Sequence, residues 1–196
     1  MKTRTLVASI LIALGTASVF AQPVANTVQG DVTQQTRIEN GLKDGSLTTK
    51  ETGRLEREQA QIERLQARDL KDGKLSAAER AQLTRLQDKS SRDIHAAKTN
   101  AVKGNPESIS SERLQADVQR NVNQEKRIEQ GVQSGALTNR ETGKLEQGQA
   151  KVDRMEAKAA RDGHVGKHEQ AAITRKEILQ SGKIHDKKHN AAERNG

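Results

Sequence analysis

Gly41–Ala60 reads GLKDGSLTTKETGRLEREQA, and ninety residues later Gly131–Ala150 reads GVQSGALTNRETGKLEQGQA. Each segment carries the signals of one helix ending and another beginning. Gly45 supplies a left-handed residue of the kind that commonly closes a helix. Thr48 is placed to cap the next helix, and Glu51, three residues on, can reach back to the cap's own N–H. Thr138 and Glu141 repeat that capping box.

Working outward, Val24–Ala101 aligns with Leu114–Ala191 without a gap, and 32 of the 78 pairs are identical. The chain reads as an internal duplication. Three apolar stripes of helical spacing emerge in each half. The first carries Val24, Val28, Val32, Ile38 and Leu42, matched by Leu114, Val118, Val122, Ile128 and Val132. The second carries Leu55, Ile62, Leu65 and Leu70, and the third Leu83, Leu86, Ile94 and Ala97, with Ser90 on the same face. The expected fold is all-α: two tandem three-helix units with tight capped hairpins, one over 22–101 and the other over 112–196. Each unit is expected to form helix alone, the second less stably. The intervening 102–111, VKGNPESISS, reads as a linker in which Ser110 or Ser111 caps the following helix. Whether the two units pack together is not written in the pattern.

The last helix departs from its twin. Ser76 corresponds to Gly166, Leu86 to Lys176 and Arg92 to Gly182, so cap, core and interior are all weakened. Gly53 and Gly143 stand one turn inside the second helix of each half, where a close helix–helix approach would explain them.

Composition sets further bounds. Met1–Ala21 has a basic opening, an apolar run over Leu6–Leu14 and Val19-Phe20-Ala21 before Gln22, the layout of a signal peptide cleaved after Ala21. The apolar run is too short for a permanent span. The mature product is expected in the periplasm or outside the cell, without a transmembrane segment. Phe20 is the only aromatic residue, so the mature chain has none, and it has no cysteine. Ile, Leu and Val make up 29 of its 175 residues, which predicts a thin core with alanine filling much of the interface. Removing Lys2 and Arg4 from the 34 basic residues leaves a net charge of +6 against 26 acidic ones.

Four turns resemble the second half of an EF-hand calcium loop: Asp44-Gly45 to Glu51, Asp72-Gly73 to Glu79, Ser134-Gly135 to Glu141, and Asp162-Gly163 to Glu169. The resemblance would make Asp44, Glu51, Asp72 and Glu79 candidate calcium ligands. The first and third loop positions, however, hold Asn40 and Leu42, Arg68 and Leu70, Gln130 and Val132, Lys158 and Ala160. Calcium needs about six to eight oxygens, so capped hairpins are the favoured reading. Histidines offer the other candidates: His185 and His189 lie four apart on one helix face, and His164 and His168 share that spacing across a turn. Such pairs suit a divalent transition metal better than calcium.

No nucleophile elbow, phosphate loop or His-Glu-x-x-His zinc motif occurs, so no catalytic residue is assigned and the chain reads as a non-enzyme. Its acidic residues read as members of mixed-charge, solvated helix faces. Without an aromatic residue to stack bases, specific nucleic-acid binding is not expected. Arg37–Glu51 and Arg127–Glu141 share the pattern Arg-Ile-Glu-x-Gly-x-x-x-Gly-x-Leu-Thr-x-x-Glu. With it the mature chain resembles exported proteobacterial helical-repeat proteins, a resemblance that brings no activity with it. The expected role is therefore binding, with an unassigned protein or envelope component as partner. A divalent metal ion and weak attraction to anionic envelope surfaces are the alternatives.

Overall fold

The computed structural model describes residues 22–190; the expected signal peptide lies outside them. The described residues form α1 (Gln22–Lys43), α2 (Thr49–Asp69), α3 (Ala77–Thr99), α4 (Ile109–Gln133), α5 (Asn139–Ala159) and α6 (Lys167–Lys188). Short 3-10 turns at Leu70–Asp72 and Ala160–Asp162 follow α2 and α5. No strand occurs among the described residues. The all-α expectation holds, with three helices from each half.

The hairpin chemistry is as the opening segment dictates. Gly45 adopts φ 72° and Gly135 φ 78°, positive values that a side chain would strain. Thr48 Oγ1 accepts from the Glu51 N–H at 3.1 Å, and the Glu51 carboxylate accepts from the Thr48 N–H at 3.0 Å. Thr138 with Glu141 and Ser76 with Glu79 form the same box. Gly166 has no side chain to offer, so α6 keeps only the half of the box in which Glu169 accepts from the Gly166 N–H at 2.9 Å. The linker is shorter than expected: Ser108, not Ser110 or Ser111, caps α4, accepting from the Ser111 N–H at 3.2 Å. Ser110 and Ser111 are already helical and buried.

The two units pack intimately. In one apolar cluster Ile38, Leu55 and Ile94 of the first half meet Leu114, Val118, Val152 and Ile173 of the second. In the other, Val24, Val28 and Leu70 meet Ile128, Val132, Leu145 and Ile184. The start of α1 thus lies with the end of α4, and the start of α2 with the end of α5, so both pairs are antiparallel. These four helices form the centre; α3 packs on α1 and α2, and α6 on α4 and α5. Both apolar clusters draw on both halves, an arrangement that the expectation of two units each forming helix alone did not include.

The α2–α5 contact is the closest. A Cβ added at Gly53 would sit 2.7 Å from the Ala160 Cβ, and one at Gly143 would sit 2.9 Å from the Leu70 Cβ. Backbones this near exclude any larger residue. Both glycines are there for packing.

Alanine fills part of the interface, with Ala60, Ala150, Ala157, Ala159 and Ala160 buried, but it shares the middle with polar side chains. Between the apolar clusters the inward positions hold Asp31 and Gln35 of α1, Glu56, Gln59, Glu63 and Gln66 of α2, Asn121 and Glu125 of α4, and Glu146, Gln149, Asp153 and Glu156 of α5, all buried. A polar, strongly acidic layer crosses the centre of the bundle.

Candidate metal centre

The layer arises from a regular stripe. Glu56, Gln59, Glu63 and Gln66 follow one another at intervals of three, four and three, the seam spacing of packed helices. Glu146, Gln149, Asp153 and Glu156 repeat it on α5. Because α2 and α5 run antiparallel with glycines at both ends of their contact, the two stripes face each other across the seam.

Two carboxylate triplets result. Ligand oxygens of Glu56, Asp153 and Glu156 lie within 4.8 Å of one another, and so do those of Glu63, Glu125 and Glu146. All six residues are fully buried. Each triplet draws on both halves, and the positions correspond at the offset of ninety. Glu56 pairs with Glu146, Asp153 with Glu63, and Glu156 with Gln66. Gln35 in the first neighbourhood answers to Glu125 in the second.

Some oxygens are held. Gln35 Nε2 donates to Glu56 at 2.9 Å and to Asp153 at 3.3 Å, and Asn121 Nδ2 donates to the other Asp153 oxygen at 2.5 Å. Gln66 and Gln87 donate to Asp31 at 2.5 and 2.9 Å. Both oxygens of Glu146 and Glu156, and one of Glu56, have no hydrogen-bond partner, whereas Glu63 shares a hydrogen bond with Asp153 and Glu125 one with Gln149. Buried carboxylate oxygens without partners are costly.

Burial sets the protonation of the layer. It pushes Asp153 up to about 7, and Asp31 as well, where hydrogen bonds from Gln66 and Gln87 oppose it in part. It lifts Glu63 well above the carboxylate range, reinforced by Asp153, Glu125, Glu146 and Asp31. Glu56, Glu125, Glu146 and Glu156 are raised well above it too, first by burial and then by neighbouring carboxylates. Burial thus favours the protonated form of these carboxyls near neutral pH. Oxygen-only donors suit hard cations such as Mg²⁺, Ca²⁺ and Mn²⁺, and three carboxylates supply up to six oxygens.

At one side the layer reaches the surface. Arg120, partly exposed, donates to buried Asp117 and to Glu177. Burial and then Glu177 push Asp117 up to about 7. Both carboxylates act electrostatically on Glu156.

The residues singled out from sequence lie elsewhere. Asp44 accepts from the Ser46 N–H at 2.8 Å, and Asp72 from the Lys74 N–H at 2.9 Å, so both shape turns. Glu51 and Glu79 are capping-box residues, and Asn100 donates to Glu51 at 2.6 Å. The rings of His185 and His189 stack at 4.3 Å, with His189 Nδ1 2.7 Å from the His185 carbonyl oxygen. His164 Nδ1 lies 3.2 Å from Ser110 Oγ, and His168 is exposed. None of these residues belongs to either triplet.

Sequence reasoning missed the triplets because it placed the acids of α2 and α5 in solvent. One signal could have found them. On α2 the complementary stripe Lys50, Arg54, Arg57, Gln61, Arg64 and Arg68 contains no acid, so the acids must occupy another face. Comparison of the chain with protein-family models, curated proteins and solved structures gave no match.

Proposed function

We propose that this is an exported, non-catalytic protein that binds divalent hard cations in the carboxylate layer of its bundle. The observation that carries the reading is the pair of fully buried triplets, Glu56/Asp153/Glu156 and Glu63/Glu125/Glu146, in each of which carboxylate oxygens (one of Glu56 and both of Glu156, both of Glu146) lack a hydrogen-bond partner in the protein. A dication at each triplet would supply the missing partner and offset the like-charge repulsion. Full burial favours an ion that sheds water readily, Ca²⁺ or Mn²⁺, over the reluctantly dehydrated Mg²⁺. Export is supported by the sequence of Met1–Ala21.

The test is isothermal titration of chelator-treated protein with Mn²⁺ and Ca²⁺ in buffers of different ionisation enthalpy. Binding of about two ions, with release of several protons as the carboxyls ionise, is expected. The double change Glu63→Gln with Glu125→Gln should remove one ion, and Glu56→Gln with Glu156→Gln the other. Binding unaffected by these changes but lost with His185→Ala and His189→Ala would transfer the function to the C-terminal histidines.

A further inference from the structure

The helices that turn their acids inward turn a different face outward. Every exposed residue of α2 is Lys, Arg or Gln: Lys50, Arg54, Arg57, Gln61, Arg64 and Arg68. The same holds on α5, where these positions are matched by Arg140, Lys144, Gln147, Lys151, Arg154 and Lys158. Lys71 and Arg161 extend the rows into the 3-10 turns. Each of the two helices is 21 residues long, so the rows run for about 31 Å.

These charges are largely unengaged. Arg68 pairs with Asp69, and Arg140 donates to the Asp72 carbonyl. Among the described residues, the side chains of Arg57, Arg64, Lys144, Lys151, Arg154 and Lys158 make neither an ion pair nor a hydrogen bond. Between the rows runs a trough of about 970 Å³, walled by Arg64, Arg68, Lys144 and Arg154 with Leu65 and Gly143 at its base. It meets a second concavity of about 600 Å³ at Lys151 and Arg154. A concave channel with cations on both walls concentrates field along its axis.

We propose that this trough binds inorganic polyphosphate, a linear polyanion lying along the α2–α5 seam. A narrow chain can be gripped from both walls, and Gln61 and Gln147 add neutral donors. With no aromatic side chain in its walls the trough has no platform for stacking bases, so nothing there rewards a nucleic acid over a bare phosphate chain. A membrane surface fits less well: the exposed large apolar side chains, Val102, Ile109, Ile178 and Leu179, are on other elements. The proposal is independent of the buried carboxylates.

The test is fluorescence anisotropy of end-labelled polyphosphate with the full mature chain, over a range of salt. Binding at low salt should weaken steeply, with a log–log slope of roughly −4 for about six neutralised phosphates. The triple change Arg64→Gln, Lys151→Gln, Arg154→Gln should cost at least about tenfold at moderate salt. The charge-matched control Arg85→Gln, Arg92→Gln, Lys126→Gln, at exposed positions elsewhere, should cost less than about threefold. If the first triple lowers helix content, Lys144→Gln, Lys158→Gln, Arg161→Gln replaces it with the same expected loss. Equal losses in the face and control triples, or no binding at low salt, would overturn the proposal. So would tighter binding of a single-stranded oligonucleotide or of anionic phospholipid vesicles than of polyphosphate.

Discussion

Glu63 of α2 and Asp153 of α5, ninety residues apart in the chain, are fully buried electrostatic neighbours at the centre of the bundle. After burial itself, Asp153 is the strongest influence raising the Glu63 carboxyl. The pair joins the two triplets into one acidic layer, and the response of the protein to pH follows from it.

Stability of the cation-free protein should fall as pH rises. The buried carboxyls hold their protons to higher pH in the folded chain than in the unfolded one, so folding takes up protons between those ranges. Their stabilisation is complete below about pH 4 and is lost as pH rises toward and past 7, where Asp31 and Asp153 titrate. Thermal melts followed by circular dichroism should show a Tm drop of about 10 °C or more between pH 5 and pH 8. Excess Mn²⁺ or Ca²⁺ should reverse most of that drop. A Tm independent of pH would mean that the layer is not buried as described.

Replacing Glu63 by glutamine should separate the folding and binding consequences of the layer. The amide keeps the shape of a protonated carboxyl but cannot ionise. At pH 8 the cation-free variant should melt a few degrees above the parent. Its cation-induced rise should shrink by half or more, because the Glu63/Glu125/Glu146 triplet has lost a charged ligand.

Glycine substitutions should split by location. At Gly53 and Gly143 a methyl group would meet the Ala160 and Leu70 Cβ atoms, which cannot swing aside, so alanine should cost about 1–2 kcal/mol in denaturant unfolding. At Gly182 in α6 nothing lies within 4 Å, and alanine should add about 0.5–1 kcal/mol.

The halves should depend on each other. Residues 22–103 or 104–196 expressed alone expose one side of both apolar clusters and an unopposed acidic stripe, so neither should melt cooperatively. Mixed in equal amounts they should regain helix and elute together from a sizing column. Cooperative melting of either half alone would show that it carries its own core.

Arg120 should matter beyond its partial exposure. It bonds to both Asp117 and Glu177, which are buried beside the acidic layer. Arg120→Leu should cost about 2 kcal/mol at neutral pH, since removing one member of a buried charge group strands the others. The loss should shrink near pH 5, where Asp117, lifted to about 7, is protonated in either protein.

Much of the architecture is determined by sequence alone, because it is local. Gly45, Thr48 and Glu51 define a hairpin wherever they occur in that order, and the spacing of Val24, Val28, Ile38 and Leu42 defines a helix face. Tertiary structure decided what those faces meet. A three-helix pattern is equally compatible with a private core and a shared one, and only the antiparallel α2–α5 contact through Gly53 and Gly143 selects the shared one. The same contact decided the chemistry. The acid-free stripe Lys50, Arg54, Arg57, Gln61, Arg64 and Arg68 puts Glu56 and Glu63 on another face of α2, but nothing in the sequence says that a second helix covers that face. Charge reads as hydrophilic until a second helix closes over it. Facing stripes turned them inward, lifted them toward neutrality at physiological pH, and left the outer faces of α2 and α5 to Lys, Arg and Gln.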